Sequence, residues 1–154
     1  MRIFRTFLTY FILLAQLVYI LRVWPHLPAT IPNAFDAHGI PHRFAPRALV
    51  WVMLVMATGA VALLTYLQTK PQLFNLPAAQ GSADRPRQEA MAREFIGWLT
   101  VVLAAIFASA VWSIADEGLH PGPRPNHLIF PIVILAVALF GAWNVWRIRD
   151  VRPT

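Results

Sequence analysis

The sequence predicts an all-α membrane protein: four transmembrane helices in an antiparallel bundle, with an ordered, proline-rich outer loop. Three observations predict it. Of 154 residues, 58% are hydrophobic and only 13% charged, and the mean hydropathy is +0.55, well away from the balance of a soluble domain. Four stretches free of formal charge approach the roughly 20 residues needed to cross a hydrocarbon core of about 30 Å. Trp24, Trp51, Trp98, Trp112, Trp143 and Trp146 all fall within a turn or so of the ends of those stretches, where an amphipathic indole prefers to sit.

The expected spans are residues 6–23, 48–69, 95–115 and 128–146, in a single membrane domain over 1–154. Arg5 and Arg22 bracket the charge-free part of the first span, residues 6–21, which is slightly short, and their long side chains are expected to snorkel to the interfaces. The segment RVWPHLPATIP that follows is bulky and proline-rich where a secretory signal would carry a small-residue cleavage site, so the first span is read as uncleaved. The 70–94 connection opens as a Pro/Gly/Ser linker and ends in good helix formers. Asp84 is expected to cap that last stretch, with Pro86 in its first turn, and the stretch to run into the third span. Gln16, Thr58, Thr100 and Ser109 are expected to hydrogen-bond between helices. Ala104/Ala108, Ala105/Ser109 and Ala138/Ala142 offer small-residue contacts for close helix approach.

Basic residues set the orientation. Arg2, Arg5, Lys70, Arg85, Arg87, Arg93, Arg147, Arg149 and Arg152 share one side, nine in all, against four (Arg22, Arg43, Arg47 and Arg124) on the other. Both termini and the 70–94 loop are therefore expected in the cytoplasm, with loops 24–47 and 116–127 outside. The net charge of +6 then reports topology and contact with the lipid bilayer, and nucleic acid is not an expected partner.

Several chemistries are excluded at this level. With no cysteine there are no disulfides, thiolate metal sites or thiol nucleophiles. No acid, base or histidine lies mid-span, which argues against proton relays and ion paths within this chain. GxGxxG, Walker, GxSxG and HExxH patterns are absent. What remains is a segregation: His26, His38, His42, His120 and His127, with Asp36, Asp116 and Glu117, all fall on the outer side. Of these, His38, His42, His120 and His127 are candidate metal ligands. Asp36, His38 and His42 do not follow a standard metal spacing, because Gly39 and Pro41 interrupt any helix that would align them. No cofactor is expected, a metal ion being the alternative.

The stretch FDAHGIPHRF, residues 35–44, is read chiefly as a shaped turn. Asp36-Ala37-His38-Gly39 fits a type I turn, with Asp accepting local backbone hydrogen bonds and Gly in fourth place. Pro28, Pro32, Pro41 and Pro46 bias the flanks toward extended backbone, giving an ordered loop without regular structure. Leu27, Ile31, Phe35, Ile40 and Phe44 are too apolar for a solvated linker, so the loop is expected to fold back as a cap on the bundle. Asp116 and Glu117 end the third span, where negative charge is disfavoured by about 0.3–1 kcal/mol. Arg43 or Arg47 is expected to compensate them, clamping loop to helix.

At Trp24 to Arg47 the chain resembles the domain of unknown function 1648 found at the N-terminal end of SdpI-type bacterial immunity proteins. The resemblance is carried by Leu27-Pro28, Ile31-Pro32, Phe35, Gly39 and Pro41, with Asn33-Ala34-Phe35 standing where that family commonly has His-Phe. It implies a small, single-domain bacterial membrane protein. The leading functional expectation is a non-enzymatic inner-membrane protein whose outer cap recognises a peptide, a signal or a membrane partner, of immunity or regulatory type. The alternatives are an accessory subunit packed against a larger membrane complex and a His/carboxylate metal site on the outer face.

Overall fold

The computed structural model describes residues 2–36, 40–70, 73–74, 83–120, 132, 136, 139 and 143. Along the chain come helix α1 (Arg2–Val23), a 3-10 turn (Trp24–His26), strands β1 (Thr30–Phe35) and β2 (Pro41–Pro46), helix α2 (Leu49–Gln68) and helix α3 (Arg85–Leu119). All three helices are long and apolar enough to cross a membrane. Ile132, Ala136, Leu139 and Trp143 are helical and exposed, at spacings that place them on one helix face. Otherwise the expected fourth span lies outside the described residues, as does the Ala138/Ala142 pair.

Prolines punctuate the helices. Pro25 enters the 3-10 turn directly after α1, and Leu27, which precedes Pro28, is extended at φ −70°, ψ 133°. Thr69 closes α2 by donating its N–H and its hydroxyl to Tyr66 O, at 2.9 and 2.7 Å. The stretch of good helix formers after Asp84 does run unbroken into the third span, as one 35-residue helix. Pro86 sits in its first turn, and Asp84 makes no side-chain cap. Its carbonyl accepts the Gln88 N–H at 3.1 Å.

The helices meet along narrow seams. Thr9, Gln16 and Ile20 are buried on α1, Val50, Ala57 and Val61 on α2, and Gly97, Thr100, Val101, Ala104, Val111 and Ala115 on α3. Their three-, four- and seven-residue steps repeat one helix face, the pattern that lets side chains interlock between neighbours. The opposite face of α1 exposes Ile3, Phe7, Leu14, Val18 and Leu21. A row of this kind suits hydrocarbon, and van der Waals fit between small and branched residues holds the seam where lipid removes the hydrophobic drive.

Two expectations for polar groups inside the bundle are corrected. Among the described residues Thr58 and Ser109 make no bridge between helices; their hydroxyls donate to Leu54 O and Ile106 O of their own helices, at 2.8 Å each. Short hydroxyl side chains reach the preceding turn more easily than a neighbouring helix. The bridge that forms joins Gln68 Nε2 to Thr100 Oγ1 at 3.4 Å, using the longer amide. Gln16 is buried with both amide atoms unpartnered among the described residues.

Candidate functional site

The expected irregular loop is a β-hairpin, so the fold is not purely helical. β1 and β2 pair antiparallel, with Thr30 opposite Pro46, Ile31 opposite Ala45, Pro32 opposite Phe44, Ala34 opposite Arg43 and Phe35 opposite Pro41. Asn33 and His42 fall between these pairs as extra residues, one on each strand, and mark irregularities in the ladder. Prolines that would break a central strand are tolerated because both strands of a two-stranded sheet are edges. The extended bias of those prolines was legible; the pairing partner was not.

Backbone bonds close the hairpin at both ends. At the base the Arg47 N–H donates to Ala29 O at 3.0 Å. At the tip the Asp36 N–H donates to Ile40 O at 3.0 Å, while the Ile40 N–H donates to Asp36 Oδ1 at 2.8 Å. Asp36 thus shapes the turn through its carboxylate. His38 and Gly39 lie outside the described residues, as does the Phe35 side chain.

The base of the hairpin is the molecule's main apolar core. Leu27 and Ile31 are buried together with Ile20, Val50, Val111 and Ala115, drawing α1, α2 and α3 onto one point. Gly118 makes that contact possible: a Cβ there would stand 2.9 Å from Ile31 Cγ2 and 3.6 Å from Leu27 Cδ2. Sequence reasoning passed over Gly118, although a glycine just before the end of a long helix is a cue to close approach.

Beside this core lies an aromatic and cationic stack. The Arg47 guanidinium sits 4.6 Å over the Trp24 ring, and Nη1 donates to Leu27 O at 3.3 Å. Trp24 meets Trp51 edge to face, with ring centroids 5.9 Å apart. Each contact fixes the hairpin's entry to its exit, since Trp24 and Leu27 precede β1 and Arg47 and Trp51 follow β2. Of the residues expected in the ion-pair clamp, Arg47 is placed on Trp24, and Asp116 lies 3.3 Å from His120 Nδ1 through Oδ1. Arg43 is exposed on β2, and Glu117 is half-buried on the last turn of α3.

The tip differs from the base. Leu27 and Ile31 fold onto the bundle as expected, whereas Ile40 and Phe44 do not: they are 59% and 64% exposed. The split runs between the strands: β1 packs against α3 and buries Ile31 and Pro32 in succession, whereas Phe44, paired with Pro32, lies on the exposed strand β2. His42, Arg43 and Phe44 form a run of exposed residues on β2. Among the described residues no three histidine or acid side chains come together as a metal site. His127, with His38, is outside them.

Residues 11–58 match the sequence model of a family described as Domain of unknown function (DUF1648). The matched segment takes in the second half of α1, the whole hairpin and the first half of α2, and so includes the stack of Trp24, Trp51 and Arg47. No curated protein and no solved structure gives a significant match to the chain.

Proposed function

We propose that this chain is a non-enzymatic protein of the bacterial inner membrane whose hairpin faces away from the cytoplasm and recognises a peptide or another membrane protein. One observation carries the reading. The hairpin buries Leu27 and Ile31 completely enough to be rigid at its base, yet holds Ile40 and Phe44 out at 59% and 64% exposure beside exposed Arg43. Aromatic residues and arginine are the types enriched in protein contact surfaces, and anchors on a fixed scaffold lose little entropy on binding. Prolines at 32, 41 and 46 remove backbone donors from the strands, which favours readout by side chains over strand addition. The excess of basic residues on the terminal side supports the orientation.

The test is a photoreactive amino acid at Phe44, activated in native membranes. A discrete protein or peptide adduct, lost when Ile40 and Arg43 are both changed to Ala, is the expected result. Adducts to lipid alone would overturn the reading. A single adduct that also co-purifies in fixed stoichiometry would make the chain a constitutive subunit of a larger complex.

A further inference from the structure

At the end of the bundle remote from the hairpin, α1, α2 and α3 border a partly open cavity of about 140 Å³ lined by both polar and apolar groups. Size alone admits one small molecule, since an enclosed protein cavity of about 150 Å³ holds a benzene. Its lining is not what a membrane bundle needs for packing: Arg5, Thr9, Thr65, Gln68, Thr69 and Thr100 all face it.

Arg5, expected to snorkel to an interface, is laid inward against its neighbours. Its side chain is only 12% exposed, laid across α3 with the guanidinium carbon 5.7 Å from the Trp98 ring centre. Nη1 reaches both the Glu94 carbonyl at 3.2 Å and the Glu94 carboxylate at 3.5 Å. A guanidinium has five N–H donors, so among the described residues Nε and Nη2 remain for other acceptors. Those two nitrogens pack against Gly97, where an added Cβ would stand 3.2 and 3.6 Å away, so the glycine is what lets the guanidinium lie this close to α3. Glu94, half exposed, pairs with Arg5 from outside the cavity lining, in which Arg5 is the one charged side chain among the described residues.

The hydroxyls add a second requirement. Thr9 donates to Arg5 O at 3.0 Å, Thr69 to Tyr66 O at 2.7 Å and Thr100 to Ile96 O at 2.7 Å. A hydroxyl has one hydrogen, and here it is spent on the helix, so each oxygen keeps acceptor capacity, with one lone pair of Thr100 taken by Gln68 Nε2. The site therefore combines a cation for an anionic group with acceptors for a donor. Its level along the bundle is that of an interface: Trp98 lies under Arg5, and Lys70 Nζ is 5.9 Å from the centre of the Tyr66 ring. Aromatic and basic residues gather at the height of lipid head groups.

We propose that this cavity binds the head group of a phospholipid, with the phosphate on Arg5 and a hydrogen-bond-donating alcohol or ammonium group on the threonine oxygens. Ethanolamine and glycerol head groups meet both requirements. Choline meets only the first, because its methylated nitrogen has no N–H.

The experiment uses the full chain in mild detergent, offered phosphatidylethanolamine and phosphatidylcholine of identical acyl chains, with bound lipid read by native mass spectrometry. The expected result is retention of phosphatidylethanolamine over phosphatidylcholine by about tenfold, the ratio a hydrogen bond to a charged group supplies. Arg5→Gln should lower total lipid retention by a similar factor. Thr65→Leu, which fills the cavity without touching the Arg5–Glu94 pair, should do the same and keeps the test intact if Arg5→Gln fails to fold. Equal retention of both lipids, or unchanged retention in Thr65→Leu, overturns the proposal. Displacement of the lipid by excess inorganic phosphate would assign the site to free phosphate and overturn it equally.

Discussion

Two helical glycines show how single positions set what this chain tolerates. Around Gly59 there is nothing within 4 Å of an added Cβ, whereas Gly118 faces Ile31 at 2.9 Å. Gly59→Ala should therefore be neutral or stabilise by about 0.5–1 kcal/mol through helix propensity alone. Gly118→Ala should cost about 1–3 kcal/mol by overpacking, and adding Ile31→Ala should make the pair non-additive by relieving the clash. Thermal unfolding in detergent measures all three. Gln16 offers the opposite case. Its amide is buried and unpartnered among the described residues, so Gln16→Leu is expected to raise the unfolding temperature, an orphaned polar group costing about 1–3 kcal/mol. A drop would mean that the amide has a partner elsewhere in the assembled protein.

Among the elements, the hairpin stands furthest from its sequence-level reading. Proline, Asp36 and the apolar residues were legible one at a time, and each does what its chemistry dictates: extended backbone, a side-chain bond to Ile40 N–H, and burial of Leu27 and Ile31. Pairing was not legible, because cross-strand bonds depend on which residues the base brings into register, and the base is set by Arg47, Trp24 and Trp51 from flanking elements. Asp36→Ala should loosen the tip by about 0.5–1.5 kcal/mol, seen as faster exchange of the Ile40 amide, while Asp36→Asn keeps an acceptor oxygen and should exchange nearly as slowly as the native chain. Arg47→Lys should cost about 0.5–2 kcal/mol, since an ammonium can neither lie flat on Trp24 nor reach Leu27 O in the same geometry.

Across the whole molecule, the two ends of the bundle carry different chemistry. One presents an apolar-based hairpin with an exposed aromatic tip; the other carries a partly open cavity beside Arg5. The chain's lack of cysteine makes the proposed orientation simple to test. A single Cys at Ala37 is expected to react with an impermeant thiol reagent from outside intact cells and one at Ala79 only after permeabilisation. The reverse pattern would turn the hairpin to the cytoplasm and remove the peptide-recognition reading in its proposed form.

By itself the sequence determined that this is a membrane protein and where α1, α2 and α3 run. Hydropathy, proline and glycine act locally, through solvation and through the backbone of the residue that carries them, so their consequences are written where they stand. Only the tertiary structure decided that the 24–47 segment pairs into a hairpin, that Ile31 locks into Gly118, and that Arg5 turns inward against Glu94, Gly97 and Trp98. Each of these joins residues far apart in the chain, and the free energy of such contacts exists only once the helices have brought them together.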